Sequence, residues 1–245
     1  MGMIELRSKR ALVTGAGRRI GAEIARTLGA AGMHVGVHFH ASARGAEQTC
    51  AAIRAVGGEA VALQADLSSR DAARGLVDNA LRELGGLDVL VLSAAEFEPA
   101  RLGAIDDASW DRTLSLNVGA PFAIAQHAAN ALRASRGSIV GITCVSRLLP
   151  YRGFLPYEVS KAALWQMLRV LALELAPDVR VNMVAPGSVL PPDSMTEQLE
   201  QLRARVPLGR FGSARDVAEA VLHLARHEHM TGTELVVDGG RVLAG

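Results

Sequence analysis

Thr14-Gly15-Ala16-Gly17-Arg18-Arg19-Ile20-Gly21 is the stretch that decides the fold of this chain. It follows the apolar run Ala11-Leu12-Val13 and opens onto Ile20, Ile24, Ala25 and Leu28, spaced as one face of a helix. A strand, a glycine turn and a helix in that order present backbone N–H groups to a pyrophosphate at the helix start. Gly15, Gly17, Arg18, Arg19 and Ile20 are therefore candidate cofactor contacts. A glycine-rich turn by itself is as often only a tight connection. The flanking strand and helix supply the context that the nucleotide reading requires.

A second motif strengthens it. In Tyr157-Glu158-Val159-Ser160-Lys161 the tyrosine and the lysine stand four apart, stacked on one helix face. A phenol titrates near pH 10, and a neighbouring ammonium is expected to bring it toward the working range of a general acid. An isolated match of this kind is usually a surface phenol beside a solvated lysine. Next to a nucleotide turn, the pair points to a reductase.

Outward from these motifs, β-like and helical runs alternate to the end of the chain. Strands are predicted at Ala11–Thr14, His34–Phe39, Ala60–Gln64, Val89–Leu92, Ser138–Thr143, Arg180–Val184 and Glu234–Val237. Helices are predicted at Ile20–Ala31, Arg44–Val56, Ser69–Leu84, Ser109–Ala134, Tyr157–Leu175, Met195–Arg203 and Ala214–Arg226. Gly32 and Gly57-Gly58 mark helix ends, and Ser213 is an N-cap. The strand runs are nearly continuously apolar, as strands covered on both faces must be. Right-handed crossovers then give an α/β, doubly wound parallel sheet in a single domain over residues 1–245. The chain is 49% hydrophobic but only 4% aromatic, which suits a core of Ala, Leu and Val. The Pro- and Gly-rich stretch 186–211 reads either as a surface excursion or as a flap over a substrate.

With 26 basic and 25 acidic residues and no long single-sign block, the chain offers nucleic acid no phosphate-tracking surface. Cys50 and Cys144 make neither a disulfide framework nor a C-x-x-C site. The start lacks an apolar core of signal-peptide length, and Leu87–Ala95 is too short to span a bilayer, so a cytoplasmic protein without membrane contact is expected.

The ordered landmarks Thr14-Gly15…Gly21, Asp66 in Ala65-Asp66-Leu67, Asn117, Tyr157/Lys161, Asn182, Pro186-Gly187 and Val237-Asp238-Gly239-Gly240 resemble the short-chain dehydrogenase/reductase family over almost the whole chain. The resemblance implies a seven-stranded Rossmann sheet in the order 3-2-1-4-5-6-7, a homo-oligomer (tetramer or dimer), and hydride transfer to or from nicotinamide C4. It implies that Asn117 holds a kinked helix and a water leading from Lys161 to solvent. It places Asp66 and Leu67 on the adenine side and Pro186-Gly187 near the nicotinamide carboxamide. Arg19 stands where most of the family has glycine. The basic pair, with His38-Phe39-His40-Ala41-Ser42, looks like the pteridine reductases and dihydromonapterin reductases. In those enzymes an aromatic at the place of Phe97 stacks on the pterin, and a substrate loop resembles 186–193, which contains Leu190.

Three departures matter. The fourth strand ends in Leu92-Ser93-Ala94-Ala95 rather than in an asparagine motif, so Ser93 must take over that cofactor contact or leave it unmade. Ala95 and Glu96 stand where pteridine reductases carry serines. Cys144, thirteen residues before Tyr157, occupies the position of the substrate-orienting serine of the family, and a thiol is a weaker donor. It is a poor surrogate, an adequate one, or plain core. Thr143 points to the other side of the strand and does not simply replace it. His38 and His40 alternate on a strand after His34, a spacing that puts both rings toward the adenosine ribose; no acidic or cysteine ligand lies near them in sequence, and no metal site is expected.

For cofactor choice the charge pattern decides. No acidic residue lies between Glu23 and Glu47, whereas Arg18, Arg19, His40, Ser42 and Arg44 are available to a 2′-phosphate. NADP(H) is therefore the expected cofactor. The expected function is NADPH-dependent reduction of a C=N or C=O bond in a small flat substrate, pterin-like first. A reductase of 3-oxoacyl thioesters or of carbonyls in general is one alternative, and a dinucleotide-sensing protein with little turnover is the other.

Overall fold

The computed structural model describes residues 3–189 and 197–245, and among them seven strands form one all-parallel sheet. They are β1 (Arg10–Val13), β2 (His34–Phe39), β3 (Glu59–Gln64), β4 (Val89–Leu92), β5 (Ser138–Ile142), β6 (Arg180–Pro186) and β7 (Glu234–Val237), in the spatial order β3-β2-β1-β4-β5-β6-β7. The direction of winding reverses between β1 and β4. That reversal opens a crevice beyond the carboxyl ends of these two strands, where both sequence motifs converge.

Alternation along each strand distributes the core between two layers. Ala11 and Val13 of β1, and Val89 and Val91 of β4, face α1 (Arg19–Ala30), α2 (Ala43–Ala55) and α8 (Ala214–Arg226). Leu12, Leu90 and Leu92 face α3 (Arg70–Leu84), α5 (Ala120–Ser135) and α6 (Leu155–Glu174). Each such leucine, fully withdrawn from water, contributes about 1.5–3 kcal/mol. Small residues let the layers close up. A Cβ at Gly29 of α1 would lie 2.5 Å from Ile53 of α2, and one at Gly141 of β5 would lie 2.2 Å from Leu168 of α6. The second contact seats α6 directly over β5 and brings its N-terminal half, with Tyr157 and Lys161, onto the end of that strand.

Most predicted boundaries hold to within one or two residues, the usual slack of helix and strand ends. The exception is the helix predicted over Ser109–Ala134. It is three pieces: α4 (Asp107–Leu114), one π turn (Ser115–Gly119) and α5. The Asp106 carboxylate caps α4 by accepting from Ser109 N–H, and Pro121 stands in the first turn of α5. Ser213 caps α8 in a reciprocal box with Asp216. α7 (Glu197–Ala204) is the described part of the helix predicted from Met195. Leu190 and the rest of the predicted substrate loop up to 193 lie in the stretch 190–196, outside the described residues. No described helix is long and apolar enough to cross a membrane.

Candidate active site

The turn after β1 is built by close approach. Gly15 has φ +68°, in the left-handed region, and a Cβ there would lie 2.9 Å from Ala94 Cα. A Cβ at Gly21 would lie 2.3 Å from Gly15 O, and one at Gly17 2.4 Å from Ser42 Oγ. The turn is thereby clamped between the end of β4 and the start of α2. Thr14 Oγ1 accepts from the N–H groups of Ser93 and Ala94 at 2.9 and 3.0 Å, tying the two strand ends that flank the crevice. At the start of α1, Arg18 is extended, no side chain caps the helix, and no acidic residue stands in its first turn. Its unpaired N–H groups and positive dipole end are open to an anion.

His38 is placed differently from the sequence reading. β2 ends at Phe39 and the chain bends at His40, so the strand alternation does not carry on to that residue. The His38 ring is buried beneath the turn, where Nδ1 accepts from Gly15 N–H at 3.0 Å. That fixes the tautomer, leaving Nε2 to donate to Ala65 O at 3.2 Å. Burial holds the imidazole neutral, with its pKa lowered to about 4. The unfolded chain protonates His38 near pH 6.5, so the stability it contributes is complete above that value and is lost as pH falls toward 4. The expected loss is about 3 kcal/mol across that window. Denaturant unfolding at stepped pH should show a slope in the wild type that His38→Gln lacks; equal slopes would contradict the assignment.

Around the turn lies a basic rim. Arg18, Arg19 and Arg44 are exposed and have no ion-pair or hydrogen-bonded partner among the described residues. Ser42, which precedes α2, makes no side-chain cap bond, so its hydroxyl is also available. Arg19 has φ 52°, which explains why glycine is the easier residue here: a side chain in the left-handed region is strained. His40 Nε2 lies 3.9 Å from Asp66 Oδ2, and both are exposed at the β3 side of the crevice. Asp66 Oδ1 accepts from Ser68 N–H, which lowers its pKa. Leu67 contributes its side chain to the core, so only its backbone is available to a ligand. Pro186 ends β6, and Gly187 N–H donates to Val237 O, with the carbon framework of Asp238 against it.

The second half of the site sits over the end of β5. Lys161 is buried and donates from Nζ to Ile142 O at 2.8 Å; its other two N–H bonds meet no protein acceptor among the described residues. Burial lowers its pKa to about 8. Nζ lies 5.6 Å from the centre of the Tyr157 ring. The ammonium was expected to depress the phenol, and here the balance runs the other way. Tyr157 is pushed well above its ordinary value, by burial first and then by the Cys144 thiol and Tyr151. Tyr157 is therefore held protonated, the form a reducing site needs. Asn117, fully buried in the π turn, accepts from Glu96 N–H at 2.8 Å and donates to Glu96 O and Ser160 Oγ at 3.0 and 2.9 Å. Ser160 in turn donates to Tyr157 O at 2.7 Å. With its amide fully engaged, Asn117 locks the broken helix to α6. The Glu96 carboxylate accepts from Arg112 and Thr113, which fixes the backbone that Asn117 grips.

Cys144 is buried at the mouth of β5, its sulfur accepting from Ser146 N–H at 3.4 Å and lying 3.9 Å from Tyr151 Oη. Thr143 points away, as expected, to Val184 O and Glu234. Phe97 does reach the site, but one of its faces is covered: Phe154 stacks on it at 4.4 Å and 8°, and Tyr157 meets it edge-on at 4.7 Å. Tyr151 packs edge-on to Phe154 at 5.5 Å. Both tyrosines and two of the five phenylalanines of this aromatic-poor chain thus line one wall. Sequence reasoning missed Ser160, Tyr151 and Phe154, and the roles that His38, Thr14 and Glu96 take here. Only the aromatic pair carried a usable signal, as two of few aromatics just ahead of Tyr157.

A protonated phenol, a buried ammonium and an anion-receptive helix start, gathered at one sheet crevice, can bind a dinucleotide and deliver a proton beside it. The comparisons agree with that chemistry. The family model described as enoyl-(acyl carrier protein) reductase matches residues 15–241. A 3beta-hydroxysteroid dehydrogenase of Eggerthella lenta is 34% identical, with 98% of this chain and 95% of that protein covered. A 3-oxoacyl-[acyl-carrier-protein] reductase of Staphylococcus aureus is 32% identical over 95% of this chain and 98% of its own length. The crystal structure of a short-chain dehydrogenase from Burkholderia cenocepacia in complex with NADP superposes with a TM-score of 0.91 at 37% identity, covering 97% of this chain and 99% of that one.

Proposed function

This chain belongs to the short-chain dehydrogenase/reductase family, and on that premise we propose that it is a cytoplasmic, NADPH-dependent reductase of a carbonyl or C=N group on a small, flat ring substrate. It acts as one domain over residues 1–245, with the 186–211 stretch as a substrate flap, and as a homo-oligomer. The observation that carries the reading is the pairing of a protonated Tyr157, over the end of β5, with an α1 start that is free of acid and rimmed by unpartnered arginines. Strand β7 at the sheet edge leaves Val236 exposed, which supports association.

The residues present fit NADPH. The N–H groups at the start of α1 suit a pyrophosphate, and Arg18, Arg19, Ser42 and His40 suit a 2′-phosphate. Asp66 and the Leu67 backbone suit the adenine edge, the two free N–H bonds of Lys161 suit ribose hydroxyls, and Ser93, Pro186 and Gly187 suit the nicotinamide end. When bound, the reduced nicotinamide supplies the hydride. Tyr157 gives its proton to the substrate oxygen or nitrogen as negative charge gathers there, and Lys161 stabilises the phenolate left behind. Asn117 holds the π turn through which the proton is replaced.

The aromatic wall of Phe97, Tyr151 and Phe154 favours a flat ring over a flexible acyl thioester. The similarity to a steroid dehydrogenase supports a ring ketone as the leading form. A pterin is the narrower form, since Phe154 already covers one face of Phe97, and Ala95 and Glu96 offer no serine hydroxyls. NADPH oxidation with α-tetralone, an acetoacetyl thioester and a quinonoid dihydropterin tests these readings. Fastest turnover of the ring ketone is expected, and a clear preference for the thioester would replace the ring reading by the acyl one.

The charge on Lys161 gives a pH prediction. The ammonium of the free enzyme is present below about 8 and lost above it. Because kcat/KM reports the free enzyme, its value for NADPH should fall as pH rises through that value. A profile that stays flat well beyond it would remove the charge of Lys161 from the account.

A further inference from the structure

Tyr151, in the loop between β5 and α6, has no place in the mechanism above, yet its position is specific. Its hydroxyl lies 3.9 Å from Cys144 Sγ, the thiol at the substrate-orienting position. Its backbone N–H donates to Glu158 Oε1 at 2.9 Å, which staples the loop to α6 one residue past Tyr157. Its ring packs edge-on against Phe154, on the same wall as Phe97 and Tyr157, while the residue remains 38% exposed and so borders open space. The Phe97–Phe154 stack joins it to Tyr157, which meets that stack from Phe97's side, and both Tyr151 and Cys144 raise the Tyr157 phenol. Burial, and then Cys144, keeps the Tyr151 phenol protonated. It is thus an O–H donor whose only protein acceptor among the described residues is a sulfur, and sulfur accepts weakly.

We propose that Tyr151 is the second hydrogen-bond donor to the substrate oxygen, its phenol supplying the contact that a serine would give and that the Cys144 thiol gives poorly. This rests on the reductase reading. As the hydride of NADPH adds to the carbonyl carbon, the C=O π pair moves onto oxygen, and the proton of Tyr157 is transferred there. Tyr151 keeps its own proton throughout and donates a hydrogen bond to the same oxygen, stronger as charge builds. Substrate oxygen lies between two phenols, with the aromatic wall beside it.

The test is a double-mutant cycle on kcat, using whichever of the three panel compounds turns over fastest. Tyr151→Phe removes only the hydroxyl and keeps the ring on Phe154, so the fold and NADPH affinity should be unchanged. kcat should fall about tenfold while KM moves little, because the bond strengthens only in the transition state. Cys144→Ser should raise kcat by up to about tenfold, as one neutral hydrogen bond is improved. In the Cys144→Ser background the Tyr151→Phe loss should shrink to about twofold or less, because the serine now donates. Unchanged kcat in Tyr151→Phe, or the same fold loss in both backgrounds, would overturn the inference while leaving the reductase intact. A wild type that oxidises NADPH with none of the three compounds would overturn the reductase reading and this inference with it.

Discussion

Tyr157→Phe is expected to lower kcat at least about 10²-fold while leaving NADPH affinity within error of wild type. The change deletes one hydroxyl and retains the ring that Phe97 meets at 4.7 Å, so neither the aromatic wall nor α6 should move. What is lost is the proton donor, and no other group can supply it as well. Tyr151 keeps its own proton, its phenol being raised by burial, and Cys144 is a thiol, a weak donor. Lys161→Met should differ in kind: it removes a buried ammonium that donates to Ile142 O and whose other two N–H bonds suit ribose hydroxyls, so both NADPH affinity and kcat should fall. Single-turnover rates with calorimetric NADPH titration separate the two variants. Full activity in Tyr157→Phe would mean that the proton comes from elsewhere.

The arginines of the glycine turn should produce the second largest effect. Each charge-assisted bond to a 2′-phosphate contributes about 1.5–3 kcal/mol, so removing Arg18 or Arg19 should weaken NADPH about 10- to 100-fold. NADH, which lacks that phosphate, should be nearly unaffected, and the wild type should prefer NADPH. Arg19→Gly is the more informative variant because Arg19 carries a φ of 52°. Glycine relieves roughly 1 kcal/mol of left-handed strain, and its greater freedom in the unfolded chain offsets a similar amount. The thermal midpoint should therefore move little while NADPH affinity drops, which separates binding from folding. Tighter binding of NADH than of NADPH by the wild type would sink the cofactor assignment.

What the sequence made legible was whatever local pattern determines. The strand-turn-helix at residues 11–28 and the near-continuous apolar strands led to a doubly wound parallel sheet, while the strand order that the fold shows came from the family resemblance. The break at Ser115–Gly119 does not show in the apolar periodicity, which runs through it, and only the family resemblance pointed to a kink at Asn117; the π turn is held by Asn117 reaching Glu96 and Ser160, partners remote in sequence. His38 was read toward the ribose together with His40, but His40 lies past the end of β2 and the His38 ring turns under the glycine turn instead. The spacing of Tyr157 and Lys161 gave their proximity correctly. It could not reveal that the ammonium donates one bond to Ile142 O, or that burial, Cys144 and Tyr151 raise the phenol. Phe97 lies against Tyr157, and its stacking on Phe154 depends on a contact across 57 residues that local pattern does not carry.

The most direct test of the account is a single turnover. Enzyme loaded with NADPH is mixed with excess α-tetralone, and nicotinamide absorbance is followed alongside the alcohol product. Absorbance should be lost with one alcohol formed for each NADPH consumed, in the wild type and far more slowly in Tyr157→Phe. Bound NADPH that persists unchanged beside the ketone, the thioester and the pterin alike would contradict it and leave a protein that senses the dinucleotide without turning it over.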